Sequence, residues 1–185
     1  MILKTANLVL RPWKESDAKC LYHFAKNPNI GPIAGWPPHE SVEDSLNIIQ
    51  TVFSKKETYA IVKDSIPIGC VGLLFSPDTN HSWGDGAVEL GYWIAEEYWG
   101  NGFAFEASKE VIKRAFNDLD VERIFASFKY ENTQSMRVLE KLGFEYHCQL
   151  YNTNYSGEVF REIAMVLEKK YNKGNPEDLY FVYYI

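Results

Sequence analysis

A glycine-containing turn is the stretch of this sequence whose residue types best fit anion binding. An apolar strand is predicted over residues 87–95 and a helix over residues 103–117, and Gly100 and Gly102 lie between them. Glycine lets backbone N–H groups approach an anion closely, and a helix N-terminus adds unpaired donors and its dipole. The spacing is typical of a diphosphate site, although a tight strand-to-helix turn without a ligand has the same spacing.

Two standard phosphate motifs do not explain this turn. The dinucleotide motif GxGxxG needs a glycine where the chain has Phe105. A P-loop needs the pattern GxxxxGK followed by Ser or Thr, and the sequence contains no such run. The turn therefore disfavours a dinucleotide-binding oxidoreductase.

One acidic residue, Glu89, interrupts the apolar strand over residues 87–95. Strand alternation places Glu89, Gly91 and Trp93 on one face. A carboxylate there could attract a cationic amine or accept its proton through water. A salt bridge to Arg123 or Arg137 would equally explain an acid at this position.

The order of the elements that must position these residues indicates a mixed α+β architecture. Hydrophobic periodicity predicts the order β-α-α-β-β-β-α-β-α-β-β, with antiparallel hairpins and one helix between two later strands. Ser41 and Asp44 form a predicted capping box at the start of the second helix. A stiff loop over residues 31–39 precedes that helix.

Composition limits the class of protein. The net charge of −6 disfavours a general nucleic-acid binder. A hydrophobic content of 46% with 24% charged residues excludes wholesale disorder.

The length of 185 residues fits one domain, predicted over residues 1–168. Residues 169–185 form a tail that ends in an aromatic stretch, which we expect to dock on the domain or on a partner.

Cysteine and histidine spacing predicts no metal site. The three cysteines and four histidines are scattered and lack zinc spacing. The N-terminal stretch shows no signal-peptide pattern, and no uncharged run is long enough to cross a bilayer. These features predict a cytoplasmic protein without a membrane partner.

Several motifs, in order, resemble the GCN5-related N-acetyltransferase (GNAT) family. The family motif Q/R-x-x-G-x-G/A is matched by the glycines of residues 97–102, with Glu97 in place of Gln or Arg. The chain is most similar to the ribosomal-protein alanine N-acetyltransferase branch. That likeness rests on the segments 8–12, 89–93, 98–104, 106–107, 132–135 and 142–144.

The resemblance implies a fold and a cosubstrate. The implied fold is a central mixed, mostly antiparallel twisted sheet of about seven strands flanked by about four helices. The implied cosubstrate is acetyl-CoA, with no metal. The residues that the resemblance assigns to acetyl-CoA are Trp93, Ile94, Glu97, Trp99, Gly100, Asn101, Gly102, Phe103, Ala104, Asn132 and Ser135.

The resemblance also suggests catalytic and acceptor residues. Many relatives place a tyrosine seven residues after the asparagine that contacts the cosubstrate, and this chain has Leu139 there. We therefore expect Ser135 to serve the departing sulfur, although a helix-surface serine is the alternative. Glu89 is the expected base. The expected acceptor wall comprises Trp36, Glu89 and Trp93, with the loop 151–157 as a further candidate.

The activity implied is direct transfer of an acetyl group to a primary amine. The branch favours the α-amine of a protein N-terminus that begins with Ala or Ser, and the acidic net charge suits a cationic acceptor. A small-molecule amine such as a polyamine, an amino acid or an antibiotic is one alternative. A non-catalytic acyl-CoA-binding module is another. The resemblance to the family is also compatible with a homodimer.

Overall fold

An eight-stranded sheet organises residues 1–170, which are the residues that the structure, a computed structural model, describes. Five helices pack on this sheet. The strands are β1 Leu3–Lys4, β2 Val9–Arg11, β3 Thr58–Lys63, β4 Ile66–Phe75, β5 Ala87–Ile94, β6 Arg123–Lys129, β7 Glu145–Thr153 and β8 Val159–Glu168. The helices are α1 Ala18–Ala25, α2 Gly31–Ala34, α3 Val42–Thr51, α4 Phe103–Asp118 and α5 Thr133–Lys141.

The sheet opens at its centre. Its strand order is β1-β2-β3-β4-β5-β6-β8-β7, and β5–β6 is its parallel pair while the other neighbours are antiparallel. The β5–β6 pairing covers Ala87 to Glu89, whereas β5 stays paired with β4 as far as Ile94. The two central strands therefore diverge beyond Glu89 and leave a cleft between them.

The predicted α+β fold is confirmed, with one more strand and one more helix than expected. The additional elements are the two-residue β1 and the four-residue α2. Helix α2 lies in the loop that we expected to be irregular, has Pro32 in its first turn and ends at Gly35, whose φ is 93°. Elements this short carry no readable hydrophobic periodicity, so the sequence did not predict them.

The two faces of β5 belong to different hydrophobic clusters. Val88, Leu90 and Ile94 pack in the cluster that contains the buried face of α4. Trp93 packs in the cluster that contains buried residues of α1 and α3. The predicted alternation along β5 is thereby confirmed, and Glu89 lies on the face opposite α4.

A half-buried ion pair gives the fold a testable pH dependence. The Glu57 carboxylate accepts hydrogen bonds from Arg114 Nε at 2.6 Å and Nη2 at 2.7 Å, and from the Tyr59 hydroxyl at 2.6 Å. The Arg114 hydrogen bonds lower the pKa of Glu57. Burial and the bond to Glu57 raise the pKa of Tyr59 to about 12. At neutral pH, Glu57 is therefore ionised and the Tyr59 hydroxyl is protonated.

We expect Glu57→Gln to flatten the stability profile in acid. A carboxyl whose folded pKa is lowered contributes stability that is fully present above its unfolded pKa and is lost as the pH falls through the folded value. Urea unfolding of wild-type protein and Glu57→Gln between neutral pH and about pH 3 measures the difference. The wild-type midpoint should fall more steeply below about pH 4.5. Parallel curves would contradict this account of the ion pair.

Candidate active site

A cavity of about 410 Å³ lies where β5 and β6 diverge. Its walls come from β4 to β8, from α5 and from the loop that contains α2. It brings together six residues singled out from the sequence: Trp36, Glu89, Trp93, Asn132, Ser135 and Leu139. The other predicted residues, Ile94, Glu97 and those of the turn 99–104, are not among its walls. They follow β5 directly along the chain.

The glycine turn leaves helix donors open to solvent. Gly100 and Gly102 both have φ of 77°, and Gly102 is the N-cap of the 16-residue helix α4. Asn101 Nδ2 donates to the carbonyls of Tyr98 and Trp99, each at 3.1 Å. Residues 100–102 are exposed. Unpaired first-turn N–H groups and the helix dipole suit a diphosphate at this position.

Side chains on both sides fix this turn. Trp99 Nε1 donates to the carbonyl of Ile94 at 2.7 Å. Glu96 accepts hydrogen bonds from Asn27 and Asn29, and these bonds lower the pKa of Glu96. Glu97 is exposed, with Oε1 at 4.0 Å from His23 Nε2. Glu97 was predicted to contact the cosubstrate. Within the described chain, its approach to His23 is too long to hold the Glu97 side chain away from a ligand.

The end of β5 presents a main-chain donor to the cleft. Ala95 N–H donates to the carbonyl of Ile68 at 2.8 Å, on the side of β4. Successive N–H groups of a strand point in opposite directions. The N–H of Ile94 therefore faces the side from which β6 has diverged. A donor there suits an acyl oxygen on which negative charge develops.

Glu89 is buried and heavily hydrogen-bonded. Its side chain is 2% exposed. Oε1 accepts from Asn80 Nδ2 at 2.9 Å and Ser127 Oγ at 3.0 Å, and Oε2 accepts from Asn80 N at 2.8 Å and Trp83 Nε1 at 3.1 Å. Within residues 1–170, neither of the arginines considered from the sequence is a partner of this carboxylate. Glu89 instead binds a loop and a neighbouring strand.

Helix α5 begins at the wall of the cavity. Asn132 caps it, because its Oδ1 accepts the Ser135 N–H at 3.1 Å. This bond leaves Asn132 Nδ2 to serve a ligand's carbonyl. The side chains of Asn132 and Leu139 are buried and that of Ser135 is half-buried.

Tyr92 is a cavity residue that sequence reasoning missed. Its hydroxyl donates to the Ser135 carbonyl at 3.2 Å. Burial is the main cause that raises the pKa of Tyr92, so this hydroxyl stays protonated as a donor. Alternation places Tyr92 on the face opposite Glu89, and no local pattern signals that β6 leaves a gap at this level.

An aromatic pair, Trp36 and Trp93, lines the same cavity as Glu89. The rings of Trp36 and Trp93 meet edge to face, with centroids 5.9 Å apart. A Cβ at Gly31 would lie 2.6 Å from the Trp36 ring, so only glycine permits this approach. Lys129 Nζ donates to the Pro32 carbonyl at 2.6 Å and ties the same loop to β6.

The polar loop 76–86 contributes site residues that the sequence did not reveal. Asn80 and Trp83 bind Glu89, and the Trp83 ring stacks on Phe125 with centroids 4.5 Å apart. His81 Nε2 contacts Glu162 Oε2 at 2.9 Å, and Glu162 lines the cavity. A tryptophan and a histidine in an otherwise polar loop were the available signal.

The segment 151–157, predicted as a loop, belongs to β7 as far as Thr153, and it is this strand end that reaches the cavity. Asn152 and Thr153 are among the cavity walls. Tyr151 and Tyr155 are 69% and 57% exposed. Of the tail predicted over residues 169–185, residues 171–185 lie outside the described residues.

Two other kinds of feature are absent from residues 1–170. No group of three or more His, Cys, Asp or Glu side chains is placed to hold a metal ion. No described helix is long and apolar enough to cross a membrane.

Comparison with known proteins agrees with this geometry. The acetyltransferase (GNAT) domain model matches residues 7–145. The Bacillus subtilis protein YoaA, named as an uncharacterized N-acetyltransferase, is 29% identical over 151 residues, or 78% of this chain and 82% of YoaA. YdaF of the same organism, provisionally named a ribosomal N-acetyltransferase, is 38% identical over 57 residues, which is 31% of each chain.

A solved structure shows the same fold. The GNAT-family acetyltransferase from Bacillus anthracis superposes with a TM-score of 0.77 at 20% sequence identity, covering 91% of this chain and 98% of that one. The family model spans most of the chain. The chain therefore belongs to the GNAT acetyltransferase family.

Proposed function

We propose that this enzyme acetylates the α-amine of a protein N-terminus that begins with Ala or Ser, using acetyl-CoA and direct transfer. The observation that carries the proposal is the cavity between β5 and β6, whose walls include buried Glu89, the Trp36–Trp93 pair and Ser135 of α5. An acid-lined cavity suits a cationic amine. Acetyl-CoA supplies an activated acetyl group and a thiolate leaving group.

The exposed turn and the cleft suit the two ends of acetyl-CoA. We assign the diphosphate to residues 99–104, with Glu97 beside them. Gly100 and Gly102 let the main chain approach, and the α4 N-terminus adds its donors. We assign the arm of the cosubstrate to the gap between β5 and β6, beside Trp93 and Asn132 of the cavity wall and Ile94 at the end of β5.

Three groups of the protein each have one role in the proposed reaction. The Ile94 N–H donates to the acyl oxygen as the amine nitrogen bonds to the acetyl carbon. Glu89 favours approach of the amine and receives its proton through a water molecule. Ser135 donates a hydrogen bond to the sulfur as the carbon–sulfur bond breaks.

The one cysteine among the cavity walls supports direct transfer over an acetyl-cysteine route. Cys70 is 6% exposed and lines the cavity. Burial raises the pKa of its thiol to about 12. The thiolate is the nucleophilic form of cysteine, so this burial disfavours Cys70 as a nucleophile at neutral pH.

The protein N-terminus is favoured as acceptor by a relative. YdaF carries a name that refers to ribosomal N-acetylation, and its likeness to this chain spans 57 residues. Trp36 and Trp93 form a wall that suits a short, small-residue terminus.

We expect Ser135→Ala to lower kcat by roughly tenfold, because one hydrogen bond to the developing thiolate is lost. The main-chain N–H that Asn132 caps is retained, so the Kd for acetyl-CoA should stay unchanged. Thr133→Ala, at an exposed position of the same helix, is the matched control. Steady-state thiol release measures both variants, and an unchanged kcat in Ser135→Ala would remove the serine from the mechanism.

An acceptor panel tests the proposed substrate. Hexapeptides that begin with Ala or Ser, the same peptides with a blocked N-terminus, and spermidine are compared by thiol release and mass spectrometry. Acetylation at the free peptide terminus supports the proposal. Acetylation of spermidine alone would replace it with a small-amine activity.

A further inference from the structure

Glu162 is a second carboxylate in the wall of the cavity, and the function proposed above gives it no role. It lies on β8, directly opposite Lys129 of β6 in the strand register. Glu162 is 9% exposed and lines the same cavity as Glu89. A buried carboxylate is costly unless its oxygens find partners, so its surroundings indicate what it binds.

The two carboxylates differ in the room that they leave for a ligand. A carboxylate offers about four acceptor sites on its two oxygens. Glu89 fills its sites with four donors of the protein. Glu162 receives both of its contacts on Oε2, from His81 Nε2 at 2.9 Å and Asn152 Nδ2 at 3.4 Å. In the described part of the chain, Oε1 of Glu162 has no hydrogen-bond partner.

The lysine opposite Glu162 lines the same cavity but is bound elsewhere. Lys129 Nζ donates to the Pro32 carbonyl at 2.6 Å and lies 4.4 Å from the centre of the Phe160 ring. No ion pair joins Lys129 to Glu162 among residues 1–170. The carboxylate therefore keeps an oxygen for a cation that enters the cavity.

We propose that Glu162 binds the ammonium form of the acceptor amine through Oε1 and that His81, holding Oε2, is its positioning residue. This inference rests on the proposed acetyl transfer and narrows the acceptors to amines that arrive as cations. The role of Glu89 as proton acceptor, proposed above, is unchanged. Glu162 thus selects cationic acceptors, because it binds the ammonium group before the reaction begins.

The first test compares wild-type protein with Glu162→Gln, using a Ser-initiated hexapeptide and spermidine as acceptors at saturating acetyl-CoA. We expect KM for the acetylated amine to rise roughly tenfold or more, as for the loss of a charge-assisted hydrogen bond. We expect kcat to stay within about threefold, because ground-state binding is what changes. The Kd for acetyl-CoA should not change. An unchanged amine KM overturns the proposal.

Two control substitutions separate charge from structure. Glu168→Gln removes the same charge from an exposed position of the same strand and should keep the wild-type KM. His81→Leu should raise KM, whereas His81→Gln keeps a side-chain N–H donor and should restore most of the affinity. Equal KM in His81→Leu and wild type would overturn the positioning role.

Binding measurements keep this inference distinct from the proposed function. If wild-type protein acetylates neither amine, the acetyl-transfer proposal in its stated form fails. Calorimetric titration of the same two amines in the presence of CoA then decides the role of Glu162. Binding that Glu162→Gln weakens supports that role. Equal binding to both forms, or binding to neither, overturns it.

Discussion

Replacing Glu89 with glutamine is expected to lower kcat by about 100-fold or more, which is the usual effect of losing a positioned proton acceptor. The substitution removes negative charge from the cavity. It also turns an amide N–H₂ toward donors of Asn80, Trp83 or Ser127. Leaving such donors unpaired costs about 1–3 kcal/mol of folding free energy. Thiol release and urea unfolding measure the two effects separately.

Asp17→Asn is the matched control for lost stability. Asp17 is 7% exposed and accepts hydrogen bonds from Arg11 Nη1 at 2.7 Å, Arg11 Nη2 at 2.9 Å and Lys14 N at 2.9 Å. It is not among the cavity walls. We expect Asp17→Asn to destabilise the protein while keeping kcat near the wild-type value. Wild-type kcat in Glu89→Gln, or equal loss in both variants, would contradict the role of Glu89.

Gly102→Ala is expected to weaken acetyl-CoA binding by about tenfold or more, because its Cβ would occupy the space assigned to the diphosphate. Gly102 has φ of 77°, and no atom of the described chain lies within 4 Å of a Cβ built there. Left-handed strain adds about 1–2 kcal/mol of destabilisation. Calorimetry gives the affinity, and urea unfolding gives the stability.

Gly157→Ala separates strain from ligand contact. Gly157 has φ of 85° and equally open surroundings, but it lies in the β7–β8 loop. We expect a similar loss of stability and an unchanged Kd for acetyl-CoA. Should both alanines weaken binding equally, the effect would come from strain rather than from a lost diphosphate site.

The features predicted from the sequence are those that local patterns determine. The turn at Gly100 and Gly102 follows from a strand, two glycines and a helix in immediate succession. The helix cap at Ser41 likewise needs neighbours within three residues, and its side chain accepts from Asp44 N as predicted. Alternation along β5 placed Glu89 and Trp93 on the correct face because its period is local.

The features missed depend on contacts between distant segments. Glu89 is held by Asn80 and Trp83 of a loop and by Ser127 of another strand. An arginine partner was equally consistent with the sequence, because pattern does not reveal which side chains meet. The cleft arises from the limited β5–β6 register. Glu162 entered the site through pairing of β8 with β6.

The most direct test of the account is calorimetric titration of the full chain with acetyl-CoA, with NADH and ATP as controls, followed by thiol release with the amine panel in the same buffer. We predict saturable binding of acetyl-CoA, weaker or no binding of the two controls, and thiol release that depends on a free amine. Absence of acetyl-CoA binding would contradict the assignment of residues 97–104 and the proposed function with it.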